Sequence, residues 1–209
     1  MGAARPAQAH VPRGAARRED RQGFLRVRRA GKEKDVVDDP ALIRTDNAKA
    51  AIWAAIAGAS QIVAVAFAPG FFPDWYFLLI GLGYALLLPA IAVLHVRHAA
   101  VRQSGAILGT SAGTAAVTVG LAASANMDLV VAALLVRGIW WWTIGKMWAE
   151  TGAVPRWLGL PTMVLAVLAI GSAVASAPMT MSATVLWAGE RVVLGLWTLA
   201  LAFALWRTR

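Results

Sequence analysis

Two side chains of opposite charge interrupt apolar stretches 53 residues apart: Arg137 within DLVVAALLVRGIWWWTIGKMW (128–148) and Glu190 within AGERVVLGLW. On insertion scales an arginine at the middle of a bilayer costs about 2.5–3.5 kcal/mol, so a charge at that depth needs a partner. Two kinds of chemistry are open to such a pair. The charges can neutralise each other and fix which helices are neighbours, in which case losing one strands the other at a cost of roughly 3–5 kcal/mol. Alternatively they mark a binding or proton-relay site, as intramembrane ionisable groups often do. Aromatic residues crowd both positions. Trp140 and Trp141 follow Arg137 at i+3 and i+4, on its own helix face, where an indole holds a guanidinium by cation–π attraction. Trp187 and Trp197 lie on the Glu190 side of the other helix, and an aromatic cavity with one carboxylate suits an organic cation. Arg191 points about 100° away from Glu190 and either joins the pair or faces a different cavity. Trp140, Trp141 and Trp142 fan through roughly 200°, so at least one of them faces lipid or another helix. The candidate polar site is Arg137, Glu190, Arg191 and Trp141.

Other patterns carry less chemistry. Gly109-Thr-Ser-Ala-Gly113 matches G-x-S-x-G, but a nucleophile elbow needs a strand before its serine, and this serine lies inside an apolar helical stretch. The histidines that such an enzyme would want at membrane depth, His95 and His98, stand at a span end beside Arg97 and Arg102. Asp128 with Asn126, and Lys146 with Glu150 at i,i+4, read as solvated boundary residues. The chain has no cysteine, which excludes disulfides, thiolate metal sites and thiol nucleophiles. H-E-x-x-H, a phosphate-binding glycine loop, a dinucleotide fingerprint and EF-hand spacing are all missing. No catalytic residue, metal ligand or cofactor is assigned.

The elements that must hold the polar site are helices. The 209 residues are 59% hydrophobic and 15% charged, whereas a soluble domain is nearer about 45–50% apolar and about 25% charged. Six apolar stretches, 48–68, 75–96, 104–125, 128–148, 157–177 and 183–206, are each close to the ~20 residues a bilayer-crossing helix requires. Hydrocarbon supplies no water to satisfy backbone groups, so helices are the form such segments take. The expected fold is all-α: a polytopic transmembrane bundle of six helices within residues 40–209, preceded by a disordered basic tail over 1–39. The turns after the first, third and fifth spans carry no Lys or Arg, while those after the second and fourth, and the C-terminal RTR, carry two each. The positive-inside rule then places both termini in the cytoplasm and arranges the spans as three in–out–in hairpins. Spans four and six run in the same direction, with Arg137 about 13 Å and Glu190 about 10 Å below the outer surface at 1.5 Å per residue, so the two can meet.

Charge and packing signals agree with this frame. Twelve of the twenty Lys and Arg lie in the first fifty residues, so the net charge of +9 is an orientation bias and not a nucleic-acid footprint. The same tail would attract anionic inner-leaflet lipids. Gly105, Gly109 and Gly113 recur at spacing four in span three and form a small-residue ridge for helix packing. Pro89 and Pro161 fall inside spans two and five, where each kinks its helix or frees a carbonyl.

Sixteen of the twenty basic residues are Arg, a bias of high-GC bacterial genes, which points to a bacterial cytoplasmic membrane. Through RGIWWWTIGKMWAETGAVPRWLG and AGERVVLGLW the chain from residue 48 onward resembles the small multispan membrane proteins of unknown function in high-GC bacteria. That resemblance supplies no catalytic residues. Two function classes stand side by side. One is a non-enzymatic membrane protein with a structural, sensory or partner-binding role, which includes a homo-oligomer or a complex with another membrane protein. The other is a small secondary transporter or multidrug-type carrier using Glu190 and Arg137, with an intramembrane enzyme as a third possibility.

Overall fold

The structure is a computed structural model. It describes the backbone of residues 40–67, 73–176 and 183–208, and the side chains of 45–67, 76–126, 128–176, 185–186 and 188–208. The basic tail at 1–39, the turns at 68–72 and 177–182 and the side chain of Trp187 lie outside the described residues. The chain divides into Met1–Ile43 and Arg44–Arg209. Of the first unit only the helical backbone from Pro40 is described, and all the described side chains belong to the second.

Among the described residues the chain is helical: α1 (Pro40–Phe67), α2 (Pro73–Ala85), α3 (Leu87–Ala99), α4 (Gln103–Ala125), a 3-10 turn (Met127–Leu129), α5 (Val130–Thr151), α6 (Arg156–Ser176) and α7 (Ala183–Arg207). Six segments are long and apolar enough to cross a membrane: Thr45–Phe67, Tyr76–Ala99, Gln103–Ala125, Val130–Thr151, Arg156–Ser176 and Ala188–Arg207. The chain is therefore an integral, multi-pass membrane protein in contact with lipid. The second span is α2 and α3 together, interrupted at Leu86. Pro89 lacks the N–H that would reach back one turn, and the helix breaks in the turn before it. Pro161 sits early in α6, which continues unbroken around it.

The helices are apolar on all sides, and the core takes both sizes of side chain: alanines on α1, but Trp140, Trp141 and Trp148 on α5. The buried side of α1 is Ala50, Ala51, Ala54, Ala57 and Ala64 together with the polar Asn47, Ser60 and Gln61, while Leu78, Leu160 and Val174 are among the large residues left exposed elsewhere. Small residues let helices approach closely where no hydrophobic force drives them together. Hydroxyls within the spans satisfy themselves on their own helix: Thr114, Thr162 and Thr198 each donate to the carbonyl four residues back. Among the described residues, α5 packs extensively on α6, as do α4 on α5 and α3 on α4. At the α5–α6 crossing a Cβ added to Gly145 would lie 3.0 Å from the Gly159 carbonyl oxygen. Helices α1 and α7 cross equally closely, with the Gly195 carbonyl 2.7 Å from a Cβ built on Gly58. Gly105, Gly109 and Gly113 of α4 face Met147, Ile144 and Trp140 of α5, so this stripe receives large side chains into the space left by its missing Cβ atoms.

Candidate functional site

Arg137 on α5 and Glu190 on α7 form an ion pair between Nη1 and Oε1, with both side chains almost fully buried. Arg137 Nη2 also donates to the Tyr84 hydroxyl at 2.7 Å, and that hydroxyl donates towards Glu190 Oε1 at 3.4 Å. Spans two, four and six are thus joined through one carboxylate oxygen. Tyr84 can reach this point because Gly120 on α4 has no side chain: any Cβ there would collide with the Tyr84 ring. Arg191, one residue along α7, is fully buried as well. Its Nε lies 4.0 Å from Glu190 Oε2, its Nη1 donates to Gln61 Oε1 at 3.1 Å, and its guanidinium lies 4.8 Å from the Tyr84 ring centroid. Gln61 in turn donates through Nε2 to the Ile80 carbonyl at 3.3 Å, which ties α1 to α2.

The four candidate residues meet at one place. Arg137 stands 5.8 Å over the Trp141 ring, and 5.8 Å over that of Tyr84. Trp140 turns to α4 and to Trp197, which it meets edge-on at 5.3 Å, and Trp142 is exposed on the outside of the bundle. Trp197 also contacts Trp141 and stacks on Trp148, while its Nε1 donates to Thr162 on α6 at 2.9 Å. Of the pair flanking Glu190, Trp187 is outside the described residues.

Residue-type reasoning along the chain missed Tyr84 and Gln61. The available signal was a phenol and a carboxamide at membrane depth, since a polar atom buried in hydrocarbon demands a hydrogen-bond partner. It also missed a second cluster towards the basic-loop end. There Trp148 Nε1 donates to His98 Nε2 at 2.7 Å, His95 Nδ1 lies 2.8 Å from Thr110 Oγ1, and Arg97 Nε donates to Asn47 Oδ1 at 3.1 Å. Lys146 and Glu150 are 3.8 Å apart and exposed, and Arg102 adds a second contact to Glu150 at 3.9 Å. Exposed pairs of this kind contribute about 0–1 kcal/mol.

A cavity of about 270 Å³ reaches the ion pair from between α5, α6 and α7. Its walls are mostly aliphatic, and its polar residues are Arg137, Trp141, Glu190 and Ser172. Three buried atoms on cavity-lining residues make no hydrogen bond: Arg137 Nη1, which is in the ion pair with Glu190, Glu190 Oε2, which lies 4.0 Å from Arg191 Nε, and Trp141 Nε1. The carboxylate is thus held between two guanidiniums, Arg137 on Oε1 and Arg191 on Oε2. Among the described residues no group of three His, Asp or Glu side chains could hold a metal ion. Comparison with protein-family models, with curated proteins and with solved structures finds no match.

Proposed function

We propose that this integral membrane protein is non-enzymatic, resides in a bacterial cytoplasmic membrane with both termini in the cytoplasm, and uses the Arg137–Glu190–Tyr84 cluster to lock three spans in one arrangement. The observation that carries this reading is that a single buried arginine is satisfied from two other spans at once, by Glu190 and by Tyr84. A frame locked in this way suits a structural, sensory or partner-binding component, alone, as a homo-oligomer or beside another membrane protein. The alternation of basic and Lys/Arg-free connections supports the orientation, and the basic tail suits anionic lipid. The test is a charge swap. Arg137→Gln and Glu190→Gln each lose roughly 3–5 kcal/mol by stranding a buried partner, and Arg137→Glu with Glu190→Arg regains part of it. Folded yield and melting temperature in detergent are the readouts. Single variants as stable as the parent would refute the lock.

A small-carrier reading is favoured by one feature, the cavity that reaches Glu190 from the side of the bundle. It requires transport-coupled opening of that cavity, and proteoliposome uptake of an organic cation, abolished in Glu190→Gln, is its measurement.

A further inference from the structure

A second cavity, of about 320 Å³, lies between α4 and α5 and shares no lining residue with the one that reaches Glu190. It is a cleft lined by the charged Arg102, Lys146 and Glu150 and by the apolar Leu108, Trp142 and Met147. We infer that this cleft is a binding site for the phosphate head group of an anionic phospholipid, with the start of an acyl chain lying along α4 and α5 beneath it. The site stands whichever way the chain crosses the membrane, and whether or not Arg137 and Glu190 act as a lock. Charge decides the sign of the ligand. Among the described residues that line the cleft there are two cations and one carboxylate, which leaves one positive charge over. Glu150 lies 3.9 Å from Arg102 and 3.8 Å from Lys146, and all three side chains are about half exposed or more. Both contacts are too long for hydrogen bonds, and wet pairs of this kind are weak enough for either cation to turn to a second anion. A phosphodiester carries one negative charge and would bring the cleft to neutrality. Its oxygens suit the paired N–H donors of a guanidinium and the point charge of an ammonium. Basic pockets between membrane helices hold anionic head groups in this way.

Depth decides that the phosphate belongs to a lipid. Arg102 immediately precedes the span Gln103–Ala125, and Lys146 and Glu150 lie in the last two turns of Val130–Thr151, so the charged end of the cleft is at the membrane surface. The apolar end is deeper. Trp142 is four residues further into its span than Lys146, or about 6 Å at 1.5 Å per residue, and Leu108 lies about 8 Å inside the start of its own span by the same rise. Leu108 is 57% exposed and Trp142 43%, so both look out on the bilayer where an acyl chain would run. A free phosphate ion would use the charged end alone and gain nothing from this surface.

Native mass spectrometry of the full chain in detergent, titrated with dioleoyl phosphatidylglycerol, dioleoyl phosphatidylcholine or inorganic phosphate, is the test. The expected result is saturable uptake of one phosphatidylglycerol per chain, at concentrations where phosphatidylcholine does not bind and inorganic phosphate does not compete. Arg102→Gln and Lys146→Gln each weaken that uptake about fivefold, the effect of one basic residue near a lipid surface. Glu150→Gln strengthens it by a similar factor, a gain that a merely structural ion pair would not produce, and this variant keeps the site falsifiable should a cation variant fail to fold. The basic tail attracts anionic lipid as well, so Arg26→Gln with Arg28→Gln and Arg29→Gln is the control, and it leaves the saturable uptake unchanged. Equal uptake of phosphatidylcholine, equal competition by inorganic phosphate, an affinity untouched in the Arg102 and Lys146 variants, no gain in Glu150→Gln, or loss of the uptake in the tail variant would each overturn the proposal. The charge swap at Arg137 and Glu190 is read from other variants, so failure of the lipid site and failure of the lock are distinguished.

Discussion

Tyr84 shows how much one polar atom decides inside hydrocarbon. Its hydroxyl accepts from Arg137 and donates towards Glu190, its ring lies under the Arg191 guanidinium, and its place exists because Gly120 opposite is bare. Tyr84→Phe removes the oxygen and keeps the packing. Arg137 Nη2 then loses its acceptor in a place water does not reach, and the expected loss is about 1–3 kcal/mol in detergent unfolding. Gly120→Val should cost more, because it displaces the whole ring from the cluster. If Tyr84→Phe unfolds with the parent, the bridge between spans two and four carries no stability. The same reasoning applies at the other end of the bundle, where Trp148 and His98 satisfy each other across α5 and α3.

Between helices, glycine plays two different parts. The stripe Gly105, Gly109 and Gly113 acts as a row of sockets for Met147, Ile144 and Trp140, whereas Gly145 against Gly159, and Gly58 against Gly195, are true backbone approaches. The second kind tolerates no side chain. Gly145→Val would press a Cβ to 3.0 Å from both the Gly159 carbonyl oxygen and Met163, and overpacking of this kind costs about 1–3 kcal/mol. Gly171 is the control, since nothing lies within 4 Å of an added Cβ. Gly171→Ala should be neutral or stabilising, by up to about 1 kcal/mol from helix propensity alone. Thermal melts of the two variants side by side test the distinction, and equal losses would contradict the crossing geometry. At the end of α5, Gly152 closes the helix with φ 71°, a left-handed value that leads the chain into α6.

For the molecule as a whole, the orientation is open to a direct experiment because the chain contains no cysteine. Asn126→Cys, exposed at the turn between α4 and α5, should react with a membrane-impermeant maleimide in intact cells, and Ser104→Cys, exposed at the other end of α4, only after permeabilisation. The reverse pattern would invert the proposed topology. Hydropathy alone determined the six crossings and their helical form, because a run of apolar residues with no internal water has no other way to satisfy its backbone. It also exposed Arg137 and Glu190 as charges in need of partners, since the cost of an intramembrane charge is a property of the residue and its depth. Which groups would answer that need was decided only by the tertiary structure. Tyr84, Gln61, the orphaned Trp141 Nε1 and the cavity beside Glu190 depend on how each helix is rotated and which helix lies next to it. In spans that are apolar on every side, no periodicity along the chain records that rotation. The close approach of Gly58 to Gly195 was equally illegible, because one glycine in a long helix looks the same whether it faces lipid or another backbone.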